Sequence, residues 1–106
     1  MITMTIAFGS SISADKVEVK IVNKDLNNEI IYTDEYYYGY NASYDRRNAS
    51  KKAPYISDIF TQLAQNYNVD KIEVISGKNT FTGKPAYNDL ELQDLIDTYE
   101  IEKILY

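Results

Sequence analysis

The sequence has no cysteine and no histidine, and it contains only 4 glycines and 2 prolines among 106 residues. The absence of Cys and His excludes a disulfide framework, thiol nucleophiles, histidine-based triads and Cys/His zinc sites. Any chemistry would have to use carboxylates, Lys, Tyr or Ser. The low Gly and Pro content argues against a long disordered segment, so we expect a chain that folds on its own.

Long apolar runs and a basic N-terminal segment are also missing. This pattern predicts neither a signal peptide nor a membrane span, and the default expectation is a cytoplasmic protein. The length fits one domain, residues 1–106.

The charge balance favours a basic partner over a polyanion. The net charge is −5, from 16 acidic and 11 basic residues, so the average field repels nucleic acid. One segment, "RRNASKK", departs from this balance because it holds Arg46, Arg47, Lys51 and Lys52. It is interpreted either as a solvated loop or as a loop that contacts phosphate.

Alternation of apolar and polar residues predicts three strands in the first 40 residues. The first covers residues 2–8, and the second centres on residues 17–21 after the turn "GSSISAD". The third covers residues 29–40, where one parity carries Ile30, Tyr32, Tyr36, Tyr38 and Tyr40. An antiparallel succession is the simplest arrangement of the three.

Helical spacing appears in two later segments. After a loop, Pro54 suits the first turn of a helix that ends at residues 66–68; its apolar positions are Ile56, Ile59, Phe60, Leu63, Ala64 and Tyr67. Residues 69–75 favour a strand, and "SGKNTFTGKPAY" is a loop. Asn88 or Asp89 can cap a second helix, whose apolar positions are Leu92, Leu95, Ile96 and Tyr99.

An internal similarity suggests a final strand. "YNVDKIEV" (residues 67–74) and "YEIEKILY" (residues 99–106) share the pattern Tyr-x-Val/Ile-acid-Lys-Ile. Chance similarity between short apolar strings is the alternative. If both segments are a helix end followed by a strand, the order is β-β-β-α-β-α-β, an α/β domain with a mixed sheet and helices packed on it.

That order resembles the ribonuclease H-like fold, which also forms each half of the actin-like ATPases. "IAFGSSISADKVEV" is similar to the first hairpin of those families, in which an apolar strand leads into Asp-x-Gly and Ser/Thr before the return strand. "LAQNYNVDKIEVISGKNTFTG" is similar to a helix, strand and loop of Holliday-junction-resolvase-like (RuvX/YqgF) proteins. The resemblance implies a single ribonuclease H-like domain.

The departures from that family argue against catalysis. Its nucleases hold two metal ions with carboxylates, the first of them on the first strand, where this chain has Ala7. Ser76 and Gly77 provide no acid after the fourth strand. An ATPase of the related class needs two such halves. We therefore expect no enzymatic activity, no metal site and no cofactor.

The densest unusual feature is "YTDEYYYGYNASY", which holds six of the 11 tyrosines. Tyrosine combines apolar area with a hydroxyl group and is enriched at protein interfaces. The predicted protein-binding residues of this segment are Tyr36, Tyr37, Tyr38, Tyr40 and Tyr44. Half-buried sheet packing and stacking on bases are the alternatives.

Acidic residues recur at helical spacing in the second predicted helix, at Glu91, Asp94 and Asp97. They form either a solvated helix face or a surface that mimics phosphates and engages a basic protein. In general character, small acidic tyrosine-rich domains of this kind are similar to phage-encoded inhibitors of CRISPR and restriction enzymes.

The sequence thus predicts a non-catalytic, protein-binding module, with an inhibitor of a nucleic-acid-processing complex from a phage or mobile element as its suggested form. The alternative is a nucleic-acid-binding protein or nuclease of ribonuclease H-like fold. That alternative would use the basic segment on phosphate and Asp34, Glu35, Asp58 or Glu73 as metal ligands. A homodimer, formed when the predicted fifth strand or an exposed strand edge pairs with its own copy, is a further possibility.

Overall fold

A four-stranded mixed sheet and two helices form a small α/β domain. The computed structural model describes residues 1–9, 16–37 and 56–105. Its strands and helices are β1 (Ile2–Phe8), β2 (Lys16–Asn23), β3 (Glu29–Tyr37), α1 (Ile56–Asn66), β4 (Lys71–Ser76) and α2 (Asp89–Thr98). Two short 3-10 helices, Lys24–Leu26 and Ile101–Lys103, complete the described part.

The strand order across the sheet is β3-β2-β1-β4. β1 pairs antiparallel with β2 and parallel with β4, while β2 pairs antiparallel with β3. The amide of Gly9, at φ 70°, donates to the Lys16 carbonyl at 2.6 Å and closes the first hairpin. The three antiparallel strands predicted from alternation are confirmed.

The hydrophobic core lies on one face of this sheet. Met4, Ile6 and Phe8 of β1 are fully buried, and the register places them beside Ile21, Val19 and Val17 of β2. Both helices pack on this face, with the residues predicted from their spacing. The buried ones of α1 are Ile56, Phe60, Leu63 and Ala64, and the half-buried ones of α2 are Leu92, Leu95 and Ile96. We call this the covered face.

A β-bulge in β3 corrects the predicted parity of that strand. Ile21 pairs with Tyr32, but the next β2 residue, Val22, pairs with Ile30. Ile31 is therefore an extra residue in β3 that has no partner of its own in β2. Tyr32 therefore shares the covered face with Ile21, whereas Ile30 turns to the opposite face and is exposed. Alternation in the sequence cannot reveal the bulge, because it places Ile30 and Tyr32 on the same side.

The two similar segments at residues 67–74 and 99–106 share a helix end but not a strand. Asn68 and Glu100 both adopt the left-handed conformation, at φ 51° and 52°. After α1 the amide of Val69 donates to Ala64 and that of Asn68 to Gln65, the pattern of a Schellman motif. The predicted final strand is wrong, since a 3-10 helix occupies Ile101–Lys103 and buries Ile101 against the core.

The opposite face of the sheet is largely polar, with ion pairs from Lys16 to Glu35 (2.8 Å) and from Lys71 to Glu73 (3.3 Å). Thr3 differs from its neighbours there because it is fully buried. Its Oγ1 has no hydrogen-bond partner among the described residues. A buried hydroxyl without a partner loses its hydration and gains nothing in exchange.

Replacing Thr3 by the isosteric valine should therefore stabilise the domain. We expect Thr3→Val to raise the free energy of unfolding by about 1 to 2 kcal/mol, measured by urea denaturation. Thr5→Val is the matched control, because Thr5 lies on the same strand and face but is only half-buried. An equal gain at both positions, or a loss at Thr3, would contradict this account.

Candidate protein-binding surface

The loop between β4 and α2 is held in one conformation by its own hydrogen bonds. The Asn79 side-chain oxygen accepts from the amides of Phe81 (2.9 Å) and Thr82 (3.4 Å). The amide of Asn79 donates to the Lys84 carbonyl at 2.9 Å, and that of Gly83 to the Asn79 carbonyl at 2.8 Å. Gly83 has φ +69°, a conformation that favours glycine. The tip of the loop is thus a defined turn.

The base of the loop is fastened to the sheet. The amide of Gly77 donates to Phe8 at 2.6 Å, and the amide of Ala86 donates to Gly77 at 2.7 Å. The Ser76 hydroxyl accepts from the amide of Tyr87 at 2.7 Å. These bonds fix the loop at the carboxyl ends of β1 and β4, so the position of its tip follows the sheet.

Two large apolar side chains are displayed by this loop and the helix that follows it. Phe81 at the tip is 85% exposed, and Leu90 in the first turn of α2 is 84% exposed. Single exposed apolar residues are common on protein surfaces. Phe81 is unusual because the surrounding backbone is hydrogen-bonded in a way that holds it outward. A partner that covered it would bury a large aromatic ring.

A cleft of about 620 Å³ lies between the loop, the end of β4 and the start of α2. Its apolar lining includes Val74, Pro85, Tyr87 and Leu92, while Lys84 and Asp89 bring one charge of each sign. Neither Phe81 nor Leu90 lines the cleft, but both belong to the loop and helix that form its walls. We call Phe81, Leu90 and this cleft, together with the acidic residues of α2, the loop–α2 surface.

The three acids predicted in α2 are all exposed, but they differ in their contacts. Glu91 and Asn88 form a capping box, in which Asn88 accepts from the Glu91 amide at 2.8 Å and Glu91 accepts from the Asn88 amide at 3.0 Å. Asp97 accepts from the Gln93 side chain at 3.0 Å. Glu91 therefore has a structural role at the helix start, and Asp94 and Asp97 carry the outward negative charge.

The structure places Tyr36 in the core, where its side chain is only 5% exposed. The Tyr32 hydroxyl donates to Asp34 at 3.3 Å, and the hydroxyls of Tyr32 and Tyr36 share a hydrogen bond of 2.5 Å. The Tyr32 ring also packs against Tyr67, with centroids 5.4 Å apart. The predicted role of Tyr36 in binding is thus corrected, because burial makes its side chain inaccessible to a partner.

The other predicted residues of the tyrosine and basic segments lie outside the described part of the structure. They are the Tyr37 side chain, Tyr38, Tyr40, Tyr44, Arg46, Arg47, Lys51 and Lys52. Their proposed roles in protein or phosphate binding remain predictions.

The alternative metal ligands do not come together. Asp34 lies on the covered face beside Tyr32, and Glu35 lies on the opposite face, paired with Lys16. Asp58 belongs to α1, while Glu73 contacts Lys24 and Lys71 on β4's polar side. Within residues 1–9, 16–37 and 56–105, no group of three or more acidic residues could hold a metal ion.

Neither a family model nor a curated protein matches this sequence. None of the helices in the described ranges has the length and apolar character needed to span a membrane.

Sequence reasoning did not single out Phe81 or Leu90. "NTFTGK" carried a usable signal, because an aromatic residue surrounded by turn formers and charge lacks apolar neighbours with which to pack. Leu90 falls outside the apolar stripe of α2, which contains Leu92, Leu95 and Ile96.

The buried tyrosine pair should make stability depend on alkaline pH. Burial, and next the hydrogen bond with Tyr32, raise the pKa of Tyr36 above its ordinary value. The unfolded chain therefore loses this proton above about pH 10 while the folded chain retains it, so stability falls as pH rises. We expect the unfolding free energy of Tyr36→Phe to fall less steeply than that of the wild type, with a difference of up to about 1.4 kcal/mol per pH unit.

Urea denaturation across this alkaline range measures the two slopes. Tyr67→Phe is the matched control, because it also removes a tyrosine hydroxyl beside Tyr32 but leaves the bond between Tyr32 and Tyr36 in place. Equal slopes for the wild type and Tyr36→Phe would show that the buried proton does not contribute.

Proposed function

We propose that this chain is a non-catalytic protein-binding module that engages a basic partner through the loop–α2 surface. The observation that carries the proposal is the 85% exposure of Phe81 at the tip of a hydrogen-bonded loop. Aromatic residues are enriched at the centres of protein interfaces, where they fill pockets of the partner.

The rigidity of the loop supports this proposal. A flexible loop would lose conformational freedom on binding, which weakens affinity. Here Asn79 and Gly83 already hold the tip in one turn, and Ser76 and Gly77 hold its base. Phe81 can thus enter a partner pocket without further ordering of the backbone.

The charge of the surface supports a basic partner. Asp94 and Asp97 project from α2, and the net charge of the chain is −5. Opposite charges at the rim of an interface accelerate association and disfavour partners of like charge. Proteins that process nucleic acids carry basic surfaces, so we propose them as the target class. Inhibition by a phage or mobile-element product is the form of this function that fits a small acidic domain.

The strand order lends support to a ribonuclease H-like ancestry for the scaffold. β3-β2-β1-β4, with β4 parallel to β1, is compatible with the resemblance found in the sequence. The 3-10 helix at the place of the predicted final strand departs from that pattern. The proposed binding function depends on the surface and not on this assignment.

We expect Phe81→Ala to abolish partner capture while the fold is retained. Immobilised wild-type protein and variant would be exposed to the same bacterial lysate, and bound proteins quantified by mass spectrometry. For a purified partner, loss of an aromatic anchor should weaken the Kd by about 30-fold or more. Asp94→Lys/Asp97→Lys should slow association and reduce its salt dependence.

Leu26→Ala is the matched control for Phe81→Ala. Leu26 is also exposed, but it follows β2 at the end of the sheet remote from the loop. The proposal is wrong if both variants capture the same proteins as the wild type. It is equally wrong if the protein binds DNA or RNA with a steep loss of affinity in salt and Phe81→Ala leaves that binding unchanged.

A further inference from the structure

β4 is an edge strand of the described sheet, and its hydrogen-bonding pattern shows which backbone groups face outward. The Phe8 carbonyl accepts from Gly77, and alternate residues of a parallel strand bond to the same neighbour. Glu73 and Ile75, which share the parity of Gly77, therefore face β1. Ile72 and Val74 direct their amide and carbonyl groups away from the sheet, where no described residue pairs with them.

A groove of about 520 Å³ runs beside this edge, with five apolar lining residues and three charged ones, Asp70, Lys71 and Glu102. Ile72 and Val74 form one wall, and Ile96, Ile101 and Leu105 form the other. Leu105 is exposed, and Ile72 and Val74 are only half-buried. The edge thus combines unpaired backbone groups with apolar side chains, the features that promote pairing with another strand.

The charged side chains on the polar face of β4 indicate which strand can pair with its open edge. Lys71 and Glu73 both lie on the polar face, two residues apart. In an antiparallel pair of two β4 strands centred on Ile72, each Lys71 lies directly opposite the Glu73 of the second copy. Moving the centre by one residue places either two Lys71 or two Glu73 side chains opposite each other, which is unfavourable.

The same register satisfies the backbone. Ile72 then lies opposite Ile72 of the second copy, and the outward groups of each can bond to the other. Val74 lies opposite Asp70, which precedes β4 and whose amide already donates to Ile2 at 2.8 Å, so the reciprocal backbone bonds of this register are those of the Ile72 pair. The apolar walls of the two grooves, formed by Ile72 and Val74 of each copy, meet on the covered side of this pairing.

We propose that the protein forms a two-fold symmetric homodimer by antiparallel pairing of β4 with β4 of a second copy, centred on Ile72. The two sheets become one continuous eight-stranded sheet. Each loop–α2 surface follows the carboxyl end of its own β4. Because the paired strands are antiparallel, the two surfaces lie towards opposite ends of the pair, and the dimer presents both.

Sedimentation equilibrium over a concentration series tests the dimer, and charge reversal tests its register. Lys71→Glu alone places two acidic side chains opposite each other, and Glu73→Lys alone places two lysines opposite each other. We expect each single variant to weaken the dimer Kd by about tenfold or more. A mixture of the two variants should form a heterodimer in preference to either homodimer, because both of its opposed pairs then join an acidic side chain of one copy to a lysine of the other.

Lys20→Glu is the matched control, since it makes the same charge change on the same face of the interior strand β2. It should dimerise like the wild type, and circular dichroism would verify that all variants fold. Amide exchange gives an independent readout of the register. The amide of Ile72 should exchange more slowly as protein concentration rises, whereas those of Glu73 and Ile75 should not change.

The double variant Lys71→Glu/Glu73→Lys restores an opposite charge at every opposed pair, because both members of each pair are reversed together. We therefore expect it to dimerise with wild-type strength, although each of its two substitutions alone weakens the dimer.

A wild-type protein that remains monomeric at its highest soluble concentration would overturn the proposal. So would a dimer whose affinity is unaffected by the single charge reversals, or a double variant that associates no better than either single variant.

Discussion

The packing of β1 between two strands and beneath two helices is the interaction on which the rest of the structure depends. Met4, Ile6 and Phe8 contribute the apolar side chains of this strand, and all three are fully buried. The same strand bonds β2 on one side and β4 on the other, so it joins the hairpin region to the later helix and strand. Burial of three such side chains stabilises the fold by roughly 5 to 9 kcal/mol before entropic costs are considered.

The central position of β1 also determines what lies at the margins of the sheet. Because β1 bonds both neighbours, β4 is left with one outward row of backbone groups in the described structure. The loop after β4 is fastened to the end of β1 through Phe8 and Gly77, which sets the position of Phe81. The two proposed contact surfaces, one for a partner and one for a second copy, are thus both consequences of the same strand arrangement.

Residues 67–74 and 99–106 illustrate how far local sequence determines structure. Both segments end a helix with a left-handed residue, because a tyrosine, a polar residue and a buried aliphatic residue follow one another in each. What comes next depends on the neighbours that the segment meets. Residues 71–76 pair with the edge of β1 that β2 leaves open and form a strand. Residues 101–103 instead form a 3-10 helix, which buries Ile101 in the core.

The sequence by itself determined the three antiparallel strands, the apolar faces of both helices and the Asn88 cap, because each depends on local periodicity or on residues within one turn. The tertiary structure decided the bulge at Ile31, the burial of Tyr36 and the display of Phe81. Whether a tyrosine on a strand is buried or exposed depends on whether another element packs on that face of the sheet. Whether an apolar residue in a loop is exposed depends on the hydrogen bonds that hold the surrounding turn and fasten it to the sheet. Such outcomes depend on contacts between residues distant in sequence, which local patterns do not record.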